Sequence, residues 1–253
     1  MAETTDRGYS SINAARAALG YVIPSTESST FGKHRNVTLL LKGVGNQRPQ
    51  SSKTTTTWDP ATVLDFIKDN PPRTRAEHGS KLATLLLLAS AQRGHTIHGL
   101  RTDHMDLYED RVVFHVNHLN FKQARRTIVV PPLTFPALDE EPALCIVRTV
   151  RACLREYEGV RGTNTALFLS SIKPHAAISR DTLTRWVGGL LAKAGVNMDT
   201  YTAGSVRAAS TSAALRRGLP LDQVLKLGGW SNEHTFKRFY LKPLSTDEEV
   251  GQA

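Results

Sequence analysis

The chain has 253 residues, 40% of them hydrophobic, with 32 Lys and Arg against 23 Asp and Glu, a formal charge of +9. Such a length buries one good core plus a smaller one, and no apolar run, LATLLLLA included, reaches the roughly eighteen residues a membrane span needs. The polar N-terminus gives no sign of a secretory leader, and the basic balance makes a polyanion the natural partner.

In chain order, residues 1–57 hold seven basic and three acidic residues, a local +4. They begin with SSINAARAALGYV, helical by its alanines, and continue with HRNVTLLLKGVG, which reads equally as a helix or a buried turn. GNQRPQSSKTTTTW is a linker by composition, without apolar period. Asp59 and Pro60 then predict a helix start, with Val63, Leu64 and Ile67 as its apolar face. KLATLLLLASAQ predicts a buried helix ending near Arg93. MDLYEDRVVFHVNHLNFKQARRTIVVPP reads as three short strands, with a turn at Glu109-Asp110 and a looser one from Asn117 to Ala124 that contains Lys122.

EEPALCIVRTVRACLREYE is helical and carries both cysteines, Cys145 and Cys153, too far apart along a helix to bridge, which suits a reducing intracellular compartment. ALFLS at 166–170 is a short apolar segment, and ISRDTLTRWVGGLLAKAGV is a helix turning Trp186, Leu190 and Leu191 inward. Ser205 is placed to cap a helix with Val206, Ala209 and Ala213 on its apolar side and Gly218 as its stop. LPLDQVLKLGGW and SNEHTFKRFYLKP add two short helical patterns, the second ending on Tyr240. The tail STDEEVGQA is acidic. Of the nine histidines, His95/His98 and His115/His118 are spaced by three with His104 between them, but i, i+3 positions at a strand end point to opposite faces, so no metal is expected.

Four residues stand out as a set: Arg93, Arg207, Trp230 and Tyr240, with Lys122 between the arginines. A tyrosine hydroxyl that attacks a phosphodiester builds negative charge on the non-bridging oxygens, and planar, five-donor arginines stabilise that charge. The leaving 5′-oxygen needs a proton, which a positioned lysine supplies. The phosphoester survives as a phosphotyrosine, so strand rejoining needs neither nucleotide nor metal cofactor. Arg207 falls in the first turn of its helix, where phosphate is attracted, whereas Arg216 and Arg217 at the far end read as solvated charges. Each residue also has a bland reading: Tyr240 as a core aromatic beside Phe236 and Phe239, Arg93 as a helix-end charge, Trp230 as a plug over a helix end, Lys122 as a solvated loop lysine. What argues against four simultaneous coincidences is their order and spacing, 23 residues from Arg207 to Trp230 and 10 from Trp230 to Tyr240.

TAGSVRAASTSAALRRG, LPLDQVLKLGGW and SNEHTFKRFYLKP resemble the C-terminal half of a tyrosine recombinase (phage-integrase family) catalytic domain. LLLLASAQRGHTIHGL, SVRAASTSAAL and TFKRFY, with GYSSINAARAAL and GKHRNVTLLLKG upstream, are similar to the recombinases of eukaryotic DIRS-type retrotransposons, from about Gly8 to Pro243. The resemblance implies a mostly α fold with a small antiparallel β-sheet (α+β). It divides the chain into a helical, core-binding-like DNA-binding module with linker at 1–57, shorter than is usual for the family, a catalytic domain at 58–243 and an acidic tail at 244–253.

It further implies Tyr240 as nucleophile, Arg93 and Arg207 as phosphate clamps, Lys122 as general acid and Trp230 as an N–H donor to phosphate. Lys33, Arg35, Lys42, Arg125 and Arg126 are the expected DNA contacts. The implied partner is double-stranded DNA held by a homo-tetramer on two sites, in the nucleus, with no cofactor and no membrane. The family's usual histidine three residues before the second arginine is Gly204 here, an omission worth about 10²–10⁴ in rate. Two alternatives follow: a recombinase that binds DNA without cutting it, and relaxation of the kind catalysed by type IB topoisomerases.

Overall fold

The computed structural model describes residues 8–23, 31–48, 54–116, 131–230 and 232–245, and the chain divides into two compact units, Met1–Lys53 and Thr54–Ala253. In the first, α1 (Tyr9–Val22) and α2 (Arg35–Gln47) pack together, with a short 3₁₀ turn at Phe31–Lys33 before α2. HRNVTLLLKGVG is therefore a helix, started by the His34 ring, which accepts from the Asn36 amide at 3.3 Å. The Arg16 guanidinium donates to the Gly32 carbonyl at 2.8 Å. Among the described residues of this unit only Leu41 is buried, while Tyr21, Val22, Leu39 and Leu40 are exposed.

The second unit is built around α4 (Arg75–Ser90). Thr74 and Glu77 form a capping box, the Thr74 hydroxyl accepting from the Glu77 amide and the Glu77 carboxylate accepting from the Thr74 amide, which fixes where the helix starts. Gly79, Leu82, Ala83, Leu85, Leu86 and Leu87 are buried with no exposed stripe of the usual kind, because α6 (Ile146–Tyr157), α7 (Arg180–Lys193) and α8 (Val206–Arg216) pack around the helix. Gly79 is required by close approach: a Cβ there would overlap the Trp186 ring of α7. Trp186, Leu190 and Leu191 do face inward, the two leucines fully and the tryptophan in part.

α3 (Pro60–Asp69) starts as the sequence predicts, with the Asp59 carboxylate accepting from the Ala61 amide and Val63 and Ile67 buried. After α4 come the short α5 (Gly94–His98) and a three-stranded antiparallel sheet in the order β1-β2-β3. Its strands are β1 (Met105–Leu107), β2 (Arg111–Phe114) and β3 (Leu133–Pro136). The third strand thus lies just beyond the stretch read as strands. Phe114 opposite Leu133 and Val112 opposite Phe135 put four apolar side chains on the core face; the last part of the stretch read as strands, 117–130, lies outside the described residues. The looser turn expected at 117–124 lies outside the described residues.

α6 begins only at Ile146, so Cys145 precedes it in extended backbone and Cys153 lies within it; both thiols are free and buried. α9 (Leu221–Gly228) and α10 (Glu233–Phe239) complete the unit. The threonine run read as linker differs from that reading at its end. Thr57 is 1% exposed and pairs with Leu244, its amide donating to the Pro243 carbonyl and its own carbonyl accepting from the Ser245 amide. Among the described residues no helix is long and apolar enough to cross a membrane.

Candidate active site

The site forms where the C-terminal end of α4 meets α8 and the segments that follow α9 and α10. α4 stops at Ser90 because Ala91 turns left-handed (φ 50°). Gln92 is then buried, its side-chain amide donating to the Leu227 carbonyl at 2.7 Å. That bond ties the strand of chain carrying Arg93 to the end of α9. Arg93 itself is exposed and occupies the position just before α5.

α8 begins after a 3₁₀ turn at Ala203–Ser205. Ser205 sits at the cap position as expected, but its hydroxyl does not cap the helix: it donates to the Thr202 carbonyl at 2.7 Å and accepts from the Trp58 indole at 2.8 Å. The start of α8 is held by tertiary contact instead. Gly218 (φ 87°) stops the helix, its amide and that of Leu219 returning to the carbonyls of Leu215 and Ala214.

Arg207, second residue of α8, is only 5% exposed. One terminal nitrogen, Nη2, donates to the Gly228 carbonyl. Its Cζ lies 3.6 Å from the centre of the Trp230 ring and 5.1 Å from that of Tyr240. The Trp230 and Tyr240 rings meet edge to face, 4.9 Å apart at 66°, and both rest on the fully buried Phe236. A desolvated cation over an aromatic face is worth about 2 kcal/mol, so this stack organises the site without a counter-ion. Trp230 reaches it because Gly229 adopts φ 68° and Gly228 has no Cβ, which would overlap the indole. Within this stack, Arg207 Nε and Nη1 and Trp230 Nε1 are buried with no hydrogen-bond partner among the described residues.

A cavity of about 400 Å³ opens beside this stack, lined by Gln92, Arg93, Gly204, Val206, Arg207 and Tyr240 among others. Burial pushes the Arg207 guanidinium down to about 10, the charge of Arg93 adds to this, and Tyr240 opposes it. It is still protonated at neutral pH, so two cations and a tyrosine line one cavity. Orphan donors at that place are what a tetrahedral oxyanion satisfies.

Arg93, Arg207, Trp230 and Tyr240 are therefore brought together. Lys122, Arg125 and Arg126 lie outside the described residues. Lys33, Arg35 and Lys42 are exposed on the first unit. Gly204 lines the cavity, and a Cβ there would meet only Thr202 Oγ1 at 3.6 Å, an ordinary contact. Neither His95 nor His234, the imidazoles nearest in sequence to Arg93 and Tyr240, is among the residues lining it. His98 Nε2 pairs with the Ile178 carbonyl at 2.8 Å and His115 Nε2 with Asp106 at 2.7 Å. Among the described residues no three His, Cys, Asp or Glu side chains converge on a metal position. Gln92, Trp58 and Ser212 support the site and were not singled out by sequence; the polar residues within otherwise apolar stretches at Gln92 and Ser212 were the available signal.

The Phage integrase family model matches residues 61–245. Similar solved structures include the XerH site-specific recombinase bound to difH in a pre-cleavage complex (13% identity, TM-score 0.57, 94% of this chain and 68% of that one). The Tn1549 transposon integrase in complex with transposon right-end DNA is 15% identical with TM-score 0.57, covering 97% and 78%. The XerA recombinase is also 15% identical, with TM-score 0.53, covering 97% and 81%. No curated protein matches the sequence.

Proposed function

Because the chain belongs to the phage integrase family, we propose that it cuts and rejoins duplex DNA at specific sites through a 3′-phosphotyrosine. The Tyr240 hydroxyl gives its proton to solvent as its oxygen attacks the scissile phosphorus; the bond from phosphorus to the 5′-oxygen breaks, and that oxygen takes a proton from Lys122. Arg93 and Arg207 hold the non-bridging oxygens, and the Trp230 indole N–H turns to the same phosphate. Rejoining reverses these steps with a 5′-hydroxyl as the nucleophile, so no energy source is consumed. The observation that carries this reading is the pair of unpaired, buried Arg207 donors, Nε and Nη1, on a guanidinium whose Cζ lies 5.1 Å from the Tyr240 ring centre, in a residue that lines the same cavity as Arg93 and Tyr240.

The DNA partner is supported by the basic chain and by relatives of the same fold solved on DNA. A kinship with DIRS-type retrotransposon recombinases, action in the nucleus and assembly of four protomers on two DNA sites rest on the sequence resemblance. A second reading, DNA binding without cleavage, is favoured by one observation: Gly204 places no side chain in the cavity where the family usually has an imidazole.

The test is capture of a covalent protein–DNA adduct on nicked suicide duplexes drawn from sequence flanking the gene. The parent forms the adduct and Tyr240→Phe forms none while binding DNA equally well; no adduct with intact binding in the parent selects the second reading.

A further inference from the structure

Tyr240 is the residue after α10, with backbone φ −122° and ψ −28°, so no helix of its own holds its ring in the cavity. Its backbone is nonetheless fully engaged. The Tyr240 and Leu241 amides both return to the Phe236 carbonyl, at 2.8 and 3.2 Å. The next two groups go to one side chain: the Ser212 hydroxyl donates to the Tyr240 carbonyl at 2.9 Å and accepts from the Lys242 amide at 3.0 Å. Ser212 is fully buried, in a run with Ala208, Ala209 and Thr211 that are also buried. These side chains are short enough for the chain after α10 to pass close to α8. Beyond the clamp, Lys242 Nζ donates to the Thr54 carbonyl and hydroxyl at 2.6 and 2.7 Å, and Leu244 pairs with Thr57.

Ser212 lies five residues after Arg207 on the same helix, about 7.5 Å along its axis. One rigid element therefore carries the phosphate clamp in its first turn and grips the nucleophile's backbone further along. The distance from Tyr240 to the Arg207 donors is then set by α8 and not by the terminal segment. Resting on the nucleophilic role proposed for Tyr240, we infer that Ser212 is a positioning residue for the cleavage step. It acts by satisfying the Tyr240 carbonyl and the Lys242 amide together, and does not itself touch the phosphate.

Removing the hydroxyl takes away the partner that the Tyr240 carbonyl and the Lys242 amide share and loosens the segment between them. A displacement of about 1 Å at the reacting centre costs on the order of 10²-fold in rate. In Ser212→Ala, single-turnover adduct formation at saturating suicide duplex should therefore slow by about 10- to 100-fold, with the dissociation constant for DNA unchanged.

Loss of α8 packing would lower the rate too, so a second measurement separates the cases. In the Tyr240→Phe background, hydrogen peroxide is supplied as the nucleophile: its oxygen bonds to phosphorus and loses its proton to solvent, the 5′-oxygen leaves with a proton from Lys122, and cleavage no longer depends on where the residue 240 side chain is held. Adding Ser212→Ala to Tyr240→Phe should leave peroxide-driven cleavage unchanged. An unchanged adduct rate in Ser212→Ala, or equal loss of tyrosine- and peroxide-driven cleavage, overturns the positioning role while leaving the recombinase reading intact. A parent that forms no adduct overturns that reading, and the positioning role with it.

Discussion

The two units of this chain solve different problems. Unit Thr54–Ala253 wraps α6, α7 and α8 around α4, and the same packing fixes Arg207 against Trp230 and Tyr240 within a few ångströms. The described part of Met1–Lys53 buries a single apolar side chain and displays Lys33, Arg35 and Lys42 in solvent. Phosphoryl transfer needs donors held to a fraction of an ångström, which only a packed core supplies. Attraction to a polyanion needs charge within a Debye length, which an exposed helix pair supplies without a core.

That contrast breaks if substitutions in the second unit weaken DNA binding as much as chemistry. The largest effect after Tyr240→Phe is expected for Arg207→Lys, which keeps the charge and loses the planar donors: adduct formation at saturating DNA falls by about 10²–10³-fold, with binding nearly unchanged in a gel-shift titration. Gly204→His works in the opposite direction. The backbone accepts a Cβ at 3.6 Å from Thr202 Oγ1, and an imidazole there should raise the rate by up to about 10²-fold, the lower end of general acid–base assistance; a fall in rate would show that the cavity is organised without that group.

Leu86→Ala, at the fully buried centre of α4, should cost about 2–5 kcal/mol in chemical denaturation, and a much smaller loss would mean that the two units do not differ in how tightly they pack. Replacing Lys33, Arg35 and Lys42 by Gln should sharpen the comparison from the other side. Each cation withdrawn from a DNA phosphate reduces the slope of log affinity against log salt by about 1, while the adduct rate at saturation stays the same. The smallest effect is chemical: burial pushes the Cys153 thiol up to about 12, so maleimide should label it only as fast as the unit unfolds.

Much of the fold was legible because its signals are local. Asp59-Pro60 marked a helix start, KLATLLLLASAQ a buried helix, and Gly218 a helix stop, each through backbone chemistry that does not depend on distant residues. The position of β3 was not legible, because pairing is decided by which alternation meets Val112 and Phe114 across the sheet. The linker reading failed at Thr57 for a related reason, since a threonine run looks solvated until Pro243, Leu244 and Ser245 are seen alongside it. Ser205 was placed correctly at the head of α8, but Trp58, 147 residues away in sequence, takes the hydroxyl that the helix was expected to use.

By itself, the sequence offered the candidate set: two arginines, a tryptophan and a tyrosine in an order and spacing that resemble those of phage integrases, with Gly204 three residues before the second arginine. Intervals constrain which helices carry the groups, because helix and turn geometry are local. What only the tertiary structure decided is how the groups face one another. Arg207 is buried under two aromatic rings with donors unpaired, Gln92 links the Arg93 segment to the end of α9, and Ser212 grips the backbone on both sides of Leu241. Those contacts join residues 23 to 135 positions apart, and they exist because polar and aromatic groups must find partners wherever the packing brings them.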